Sequence, residues 1–222
     1  MSNMSLRASF WLCAAAALSA GAWAQVIQFE SGGLKYQTLS RNGVTVMFAY
    51  LPAHLHEYEI LQVGISNGSQ GTCLIRPEDF IFERMDGTRV YATPARTVVG
   101  QMLDRATRGD VIKLIDTYEN GLNGVTRFRS TNGYEARRQS FLADSGSAKF
   151  RAAAAASAIA LVETRLKAGE STDGAVFFYT TGKALGPGRV MARLAGQVFE
   201  FDAEPQSTGK VLQQREPDPA RP

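Results

Sequence analysis

The chain changes its hydrophobic period twice, and this change limits the folds that it can adopt. Short strand-like segments occupy two blocks, at residues 34–91 and 161–201, and between them, at about 93–161, the period becomes helical and alanine is abundant. Together the blocks hold about nine or ten short strands, the number expected of a sandwich rather than of a lone sheet. We therefore expect a mainly β fold, an antiparallel β-sandwich with an α-helical insertion between the two β blocks.

Turn dipeptides support the antiparallel arrangement. Alternating apolar residues follow Asn42-Gly43 and precede Asn67-Gly68 and Asp86-Gly87. Asparagine and aspartate tolerate positive φ angles and glycine adopts them without steric cost, so each dipeptide is typical of a tight hairpin turn. The sequence predicts a chain reversal at each of these places.

Helix-start signals divide the helical stretch into four predicted helices. Proline at a first helical position, an aspartate cap, a capping box and a serine cap precede them in turn. The last helix is rich in alanine, which lets a neighbouring backbone approach closely. The predicted bounds are Thr93 to Gly109, Asp110 to Gly121, Asn132 to Leu142 and Ser147 to Leu161.

Residues 1–24 have the pattern of a secretory signal peptide. Arg7 gives a positively charged start, Ala8 to Leu18 form an apolar run, and Ala22-Trp23-Ala24 matches a cleavage site. We expect the mature chain to begin at Gln25 and to be exported to the periplasm or the extracellular space. The apolar run is too short to favour a transmembrane helix, so no membrane span is expected after cleavage.

The remaining chain is expected to form one domain at residues 25–204, followed by a disordered tail at 205–222. The tail is rich in proline and poor in large apolar residues, so it buries too little to offset the entropy of ordering. Loss of the signal changes the formal net charge from +3 to +2, since Arg7 is its only charged residue. A nearly neutral chain gives no electrostatic reason to expect a nucleic-acid partner.

His54 and His56 are the candidate metal ligands. Alternate residues of an extended segment share a face, so the two imidazoles would chelate one ion with a third ligand from elsewhere. The alternative is that both are exposed polar residues in a loop that follows Pro52. No other cofactor is predicted.

No catalytic residue is predicted. Gly64 to Gly68 matches the G-x-S-x-G pattern of a hydrolase nucleophile elbow, with Ser66 at its centre. That elbow requires a helix after the serine, whereas the residues after Gly68 are typical of a turn and a strand. A strand that ends in a turn explains the same pattern.

Arg127, Arg129, Arg137 and Arg138 give the helical stretch a local basic excess. Residues 96–151 contain ten lysines and arginines against six acidic residues. A solvated helix face is one interpretation, and an acidic partner or a phosphate-bearing surface is the other. These four arginines are the candidate partner-binding residues.

Several short motifs in the two β blocks resemble a recurrent bacterial pattern. They are Val63 to Gly68, Pro77 to Phe80, Asp86-Gly87, Leu166 to Ser171 and Gly174 to Phe178. The chain resembles the exported immunoglobulin-like β-sandwich domains of largely uncharacterised bacterial envelope proteins. The resemblance implies an immunoglobulin-like fold and supplies no catalytic residues. It does not cover the helical stretch, and the lipid-anchoring cysteine common in such proteins is missing.

These features predict a non-enzymatic, exported accessory protein. We expect its helical insertion to bind an unknown protein or another partner in the cell envelope. The alternative is a periplasmic carrier of a small ligand or a metal ion, bound by His54 and His56 or in a cleft under the helices.

Overall fold

The structure, a computed structural model, describes residues 25–31, 33–51, 55–124, 147–181 and 184–203, with the side chains of all of these except 117–124. This part of the chain contains eleven strands and three α-helices. The strands are β1 (Ile27–Ser31), β2 (Leu34–Arg41), β3 (Val44–Tyr50), β4 (Tyr58–Asn67), β5 (Cys73–Ile75), β6 (Phe80–Arg84), β7 (Arg89–Thr93), β8 (Thr164–Leu166), β9 (Ser171–Tyr179), β10 (Gly188–Leu194) and β11 (Gln197–Ala203), and the helices are α1 (Ala95–Arg105), α2 (Arg108–Gly124) and α3 (Ala148–Ile159).

Nine of the strands form one sheet, in the order β1-β2-β3-β4-β9-β7-β6-β10-β11, and β5 pairs with β8 separately. The pairs between these strands are all antiparallel. In chain order the three helices fall between β7 and β8. The prediction of a mainly β, antiparallel fold is therefore confirmed.

The long sheet curls until its second strand meets its last. Gln37 of β2 donates from Nε2 to the carbonyl oxygen of Asp202 in β11 at 2.6 Å, and the guanidinium of Arg41 donates to the carbonyl oxygen of Val198 at 2.5 Å. The curl encloses an inner core built from alternate residues of its strands. The largest side chains of this inner core are Phe48, Phe80, Phe82, Phe178, Phe199 and Phe201.

The helices cover the opposite face of β2, β3, β4 and β9. Both α1 and α2 pack against α3, and the buried residues of α3 are mostly alanines, which bring its backbone close to the sheet. An outer core forms between helices and sheet. Its members include Tyr36, Met47, Tyr58, Ile60, Val98, Met102, Leu114, Ala152, Ala156 and Phe177.

The observed bounds of all three described helices differ from the predicted ones. The last helix ends at Ile159 rather than at Leu161, and the second ends at Gly124 rather than at Gly121. The first helix has Pro94 as its N-cap rather than as its first residue and ends at Arg105 rather than at Gly109, and the second begins at Arg108. The reason is that Asp110 lies inside the first turn of α2 and accepts from Thr107. The predicted serine cap of α3 is confirmed, because Ser147 Oγ accepts from the Phe150 amide. The helix predicted at 132–142 lies outside the described residues.

The hairpin turn predicted at Asn67-Gly68 is wrong. β4 pairs with β3 and β9 rather than with β5, so the chain does not reverse there. Asn67 is instead fully buried, and its Nδ2 donates to the carbonyl oxygens of Gly71 and Leu166 at 2.7 and 2.9 Å. The Asn67 side chain therefore donates to backbone carbonyl groups that, in a hairpin, would pair with the backbone of the neighbouring strand.

None of the helices in the described part of the chain has both the length and the apolar character needed to cross a membrane.

The segment that follows α3 lies directly on β9. The Leu161 amide donates to the carbonyl oxygen of Ala175 at 2.8 Å. A Cβ atom on Gly174 would lie 2.7 Å from both the nitrogen and the Cα atom of Leu161. Glycine is therefore required at this position, because two backbones approach each other where its side chain would be.

Substitution of Gly174 by alanine tests this contact. The added methyl group must displace backbone atoms of Leu161, so we expect Gly174→Ala to lower the free energy of unfolding by about 1–3 kcal/mol in urea denaturation. Gly100→Ala in α1 is the control, because its Cβ would meet nothing within 4 Å. That variant should be neutral or up to about 1 kcal/mol more stable. Equal stability of the two variants would contradict the close approach.

Candidate functional site

The candidate site lies where α1 ends and α2 begins, beside a tight turn that leads into β4. The turn is held by Leu55 and Tyr58, whose amide nitrogens each donate to the other's carbonyl oxygen at 3.1 and 2.9 Å. His56 lies in the turn with a φ angle of +52°. This left-handed conformation costs a non-glycine residue roughly 1–2 kcal/mol, so the surroundings must hold the histidine there.

Asp110 of α2 is the contact that holds it. Its Oδ2 lies 3.0 Å from Nε2 of His56, and the same oxygen accepts from the amide and the hydroxyl of Thr107, each at 2.7 Å. Only 4% of Asp110 is exposed. A buried carboxylate with three donors ties the start of α2 to the turn before β4.

The electrostatics of Asp110 favour its charged form. Burial acts to raise the pKa of this carboxyl group, but the hydrogen bonds from Thr107 and the nearby His56 and Lys113 outweigh burial, so the pKa lies below its usual value. Asp110 therefore stays ionised at neutral pH.

Two tyrosines and a glutamate extend the polar cluster along the end of the sheet. The ring centroids of Tyr58 and Tyr179 are 5.6 Å apart in an edge-on arrangement. The nearby Glu57 carboxylate raises the pKa of the Tyr179 hydroxyl. Burial raises the pKa of Tyr58, while the positive charge of Arg105 acts in the opposite direction. We call His56, Glu57, Arg105, Asp110 and Tyr179 the corner site.

Three large apolar side chains are exposed at the same end of the helical layer. Leu103 is 40% exposed, Ile112 60% and Phe150 62%, one on each helix. Lys149 Nζ donates to the carbonyl oxygen of Asp104 at 2.6 Å, so the start of α3 lies beside the end of α1. We call these three residues the apolar trio.

A second polar group is buried between the sheet and the helices. Gln62 Nε2 donates to Asp173 Oδ2 at 3.3 Å. Burial and the charge of Asp173 raise the pKa of Tyr36 to about 12. This group lies within the outer core, so its accessible chemistry is limited by the helices that cover it.

The structure describes only part of the predicted site. His54, Arg127, Arg129, Arg137 and Arg138 lie outside the described residues. His56 is described, in the turn rather than in an extended strand. The metal-ligand and partner-binding assignments therefore remain predictions. Within the described residues, no group of three or more histidine, cysteine, aspartate or glutamate side chains is arranged to hold a metal ion.

Ser66, the centre of the G-x-S-x-G pattern, lies inside β4. Its hydroxyl accepts from Ser171 at 3.2 Å. His56 precedes β4 and Ser66 lies near its far end, so one strand separates them. The strand interpretation of this motif therefore agrees with the described backbone.

Sequence reasoning missed the contact between His56 and Asp110 and the apolar trio. The first joins a turn to a helix far along the chain, and no spacing rule relates the two positions. The second was missed because the exposure of Leu103 and Ile112 depends on which faces of α1 and α2 the rest of the fold covers. A helical wheel drawn with the observed bounds of α2 would have been the available signal for Ile112.

Comparison with known proteins leaves the family open. No protein-family model matches the chain, and no curated protein matches it. Among solved structures, the crystal structure of the yjhA protein from Bacillus subtilis is similar at 9% sequence identity and a TM-score of 0.30, over 75% of this chain and 77% of that one. A similarity this weak carries no argument about fold or function.

Removal of the Asp110 carboxylate tests whether its contacts with Thr107 and His56 stabilise the fold. Asp110→Ala leaves Thr107 and His56 without their acceptor, and we expect a loss of about 1–3 kcal/mol in the free energy of unfolding near neutral pH. Asp104→Ala is the control, because this exposed residue contributes its backbone carbonyl to the contact with Lys149. It should change stability by less than about 0.5 kcal/mol.

The same pair of variants gives a pH test. The pKa of Asp110 is lowered in the folded state, so its contribution is complete above the usual carboxyl pKa of about 3.9 and is lost as the pH falls through the folded-state pKa. The difference in free energy of unfolding between the unmodified protein and Asp110→Ala should therefore become smaller as the pH falls through this range. A difference that stays constant down to that range would show that the carboxylate charge is not responsible.

Proposed function

We propose that this chain is a non-enzymatic, exported protein whose helical layer binds a protein partner of the cell envelope. The observation that carries the proposal is the exposure of the apolar trio, 40% to 62% on three different helices at one end of the layer. Exposed large apolar side chains gathered in one region mark interaction sites more often than isolated ones do.

The polar surroundings of the trio support a protein partner. Exposed charged residues adjoin each member of the trio along its helix: Asp104 follows Leu103, Lys113 follows Ile112, and Lys149 and Arg151 flank Phe150. Protein interfaces typically combine an apolar centre with a polar rim, and arginine and aromatic residues are enriched in them. These charged side chains are candidates for such a rim.

We also propose that the fold is an immunoglobulin-like sandwich with the helices as an insertion. The support is that the curled sheet encloses an inner core between its two halves, and that the helices fall between β7 and β8 in chain order. Export to the periplasm or the extracellular space is supported by the signal pattern of residues 1–24.

Charge substitutions in the apolar trio test the partner-binding face. We expect Ile112→Glu and Phe150→Glu each to weaken binding of an envelope protein at least tenfold, because a carboxylate would have to be desolvated in the interface. Binding is measured by calorimetry with a partner first isolated from envelope extract on the immobilised protein. Both side chains are mostly exposed, so thermal stability should not change.

Met85→Glu is the matched control. Met85 is 79% exposed in the turn between β6 and β7, away from the helices in the chain. This variant should bind as the unmodified protein does. A partner whose affinity is equally insensitive to Ile112→Glu, Phe150→Glu and Met85→Glu would overturn the proposal.

One observation favours a metal-binding carrier as the second candidate. Metal-binding histidines usually donate their other ring N–H to a carboxylate, and His56 Nε2 faces Asp110 in this way at 3.0 Å. Nδ1 of His56 would then bind the ion, together with the predicted ligand His54.

Calorimetric titration with Zn²⁺ and Cu²⁺ distinguishes this candidate. It predicts a saturable heat that His56→Ala abolishes and that Glu163→Ala, at an exposed carboxylate after α3, leaves unchanged. No heat with either ion, or heat that survives His56→Ala, rejects the carrier function while leaving the partner-binding proposal intact.

A further inference from the structure

The two edge strands of the nine-stranded sheet differ in whether another part of the described chain covers them. At one edge, carbonyl oxygens of β11 accept hydrogen bonds from the side chains of Gln37 and Arg41 in β2. At the other edge, β1 pairs with β2 alone, and its first four residues are exposed. The curl therefore closes at β2, and β1 lies beyond the closure as an open edge among the described residues.

The side chains of β1 leave this edge fit for pairing. The strand reads Ile-Gln-Phe-Glu-Ser, with neither the proline nor the lysine that commonly blocks an edge strand. Ile27 is 62% exposed and Phe29 40%, although the Phe29 ring stacks on Tyr36 with centroids 5.3 Å apart. One face of β1 is apolar, and the other carries Gln28 and Glu30.

We propose that β1 pairs with β1 of a second copy of this chain, antiparallel and about a two-fold axis through Phe29. In that register Gln28 lies opposite Glu30 of the second copy, and Ile27 lies opposite its Ser31. The side-chain amide of Gln28 then donates to a carboxylate, and symmetry makes this contact twice. The two Phe29 rings meet on the apolar face.

Complementarity of the strand with itself is the reason to choose a second copy as the occupant. Any strand can satisfy the backbone groups of an open edge, but side chains opposite one another decide which strand is preferred. An antiparallel pair of β1 strands puts no like charges opposite each other. Five residues per chain make a small interface, so the dimer is weak and its population depends on concentration.

Exchange of the two polar residues gives a sharp test. Gln28→Glu puts carboxylates opposite each other across the axis, so we expect the dimer dissociation constant to rise at least tenfold in sedimentation equilibrium. Gln28→Glu combined with Glu30→Gln restores an amide opposite a carboxylate and should restore association. This double variant has the same amino-acid composition as the unmodified protein. Within one chain Gln28 lies opposite Gln37, so the single variant Gln28→Glu creates no like-charge pair between β1 and β2.

Circular dichroism and thermal unfolding establish that each variant is folded, and Met85→Glu serves as the surface control that should dimerise normally. A monomer at every concentration up to the millimolar range overturns the proposal. So does a dimer that Gln28→Glu leaves intact, which would place the interface elsewhere. If the protein associates through β1 only after removal of residues 205–222, that tail is the occupant and the second copy is not.

Discussion

The central strands β4 and β9 are apolar on both faces, and each face therefore needs its own cover. Ile60 and Phe177 point to the helices, while Val63 and Phe178 point into the curl. A flat sheet would leave one of these faces in water. Curling of the sheet covers one face with the sheet's own outer strands, and the helices cover the other. The helical layer is thus part of the folded core, in addition to the partner binding that we propose for its exposed residues.

This double cover limits which side chains of the helices stay exposed. α3 is committed to the sheet through its alanines and through Leu161, which lies on Gly174. The junction of α1 and α2 has a separate anchor, because Asp110 contacts His56 in the turn before β4. Side chains that point away from these two anchors are the ones left exposed, and the apolar trio consists of such side chains.

Much of the sheet follows from alternation, whereas the contacts between distant segments do not. The alternating apolar residues after Asn42-Gly43 predicted the strand at Val44 to Tyr50, and Ser147 caps α3 as its sequence indicates. The Asn67-Gly68 dipeptide misled, because turn propensity is local while the bonds of Asn67 go to segments elsewhere in the fold. The contact between His56 and Asp110 could not be predicted from local sequence for the same reason, because the two residues are far apart in the chain. The order of the nine strands also depends on pairings across the whole chain.

The buried position of Asn67 has a consequence for the chemical lifetime of the protein. An Asn-Gly pair in an unfolded chain deamidates readily, because the next backbone nitrogen attacks the side-chain carbonyl carbon. Here the Asn67 amide is held by two carbonyl oxygens, and the Gly68 nitrogen donates to the carbonyl oxygen of Gly43 at 2.7 Å. Neither reactant is free to move while the fold is intact. Deamidation at Asn67 would therefore record how often, and for how long, this part of the molecule has opened.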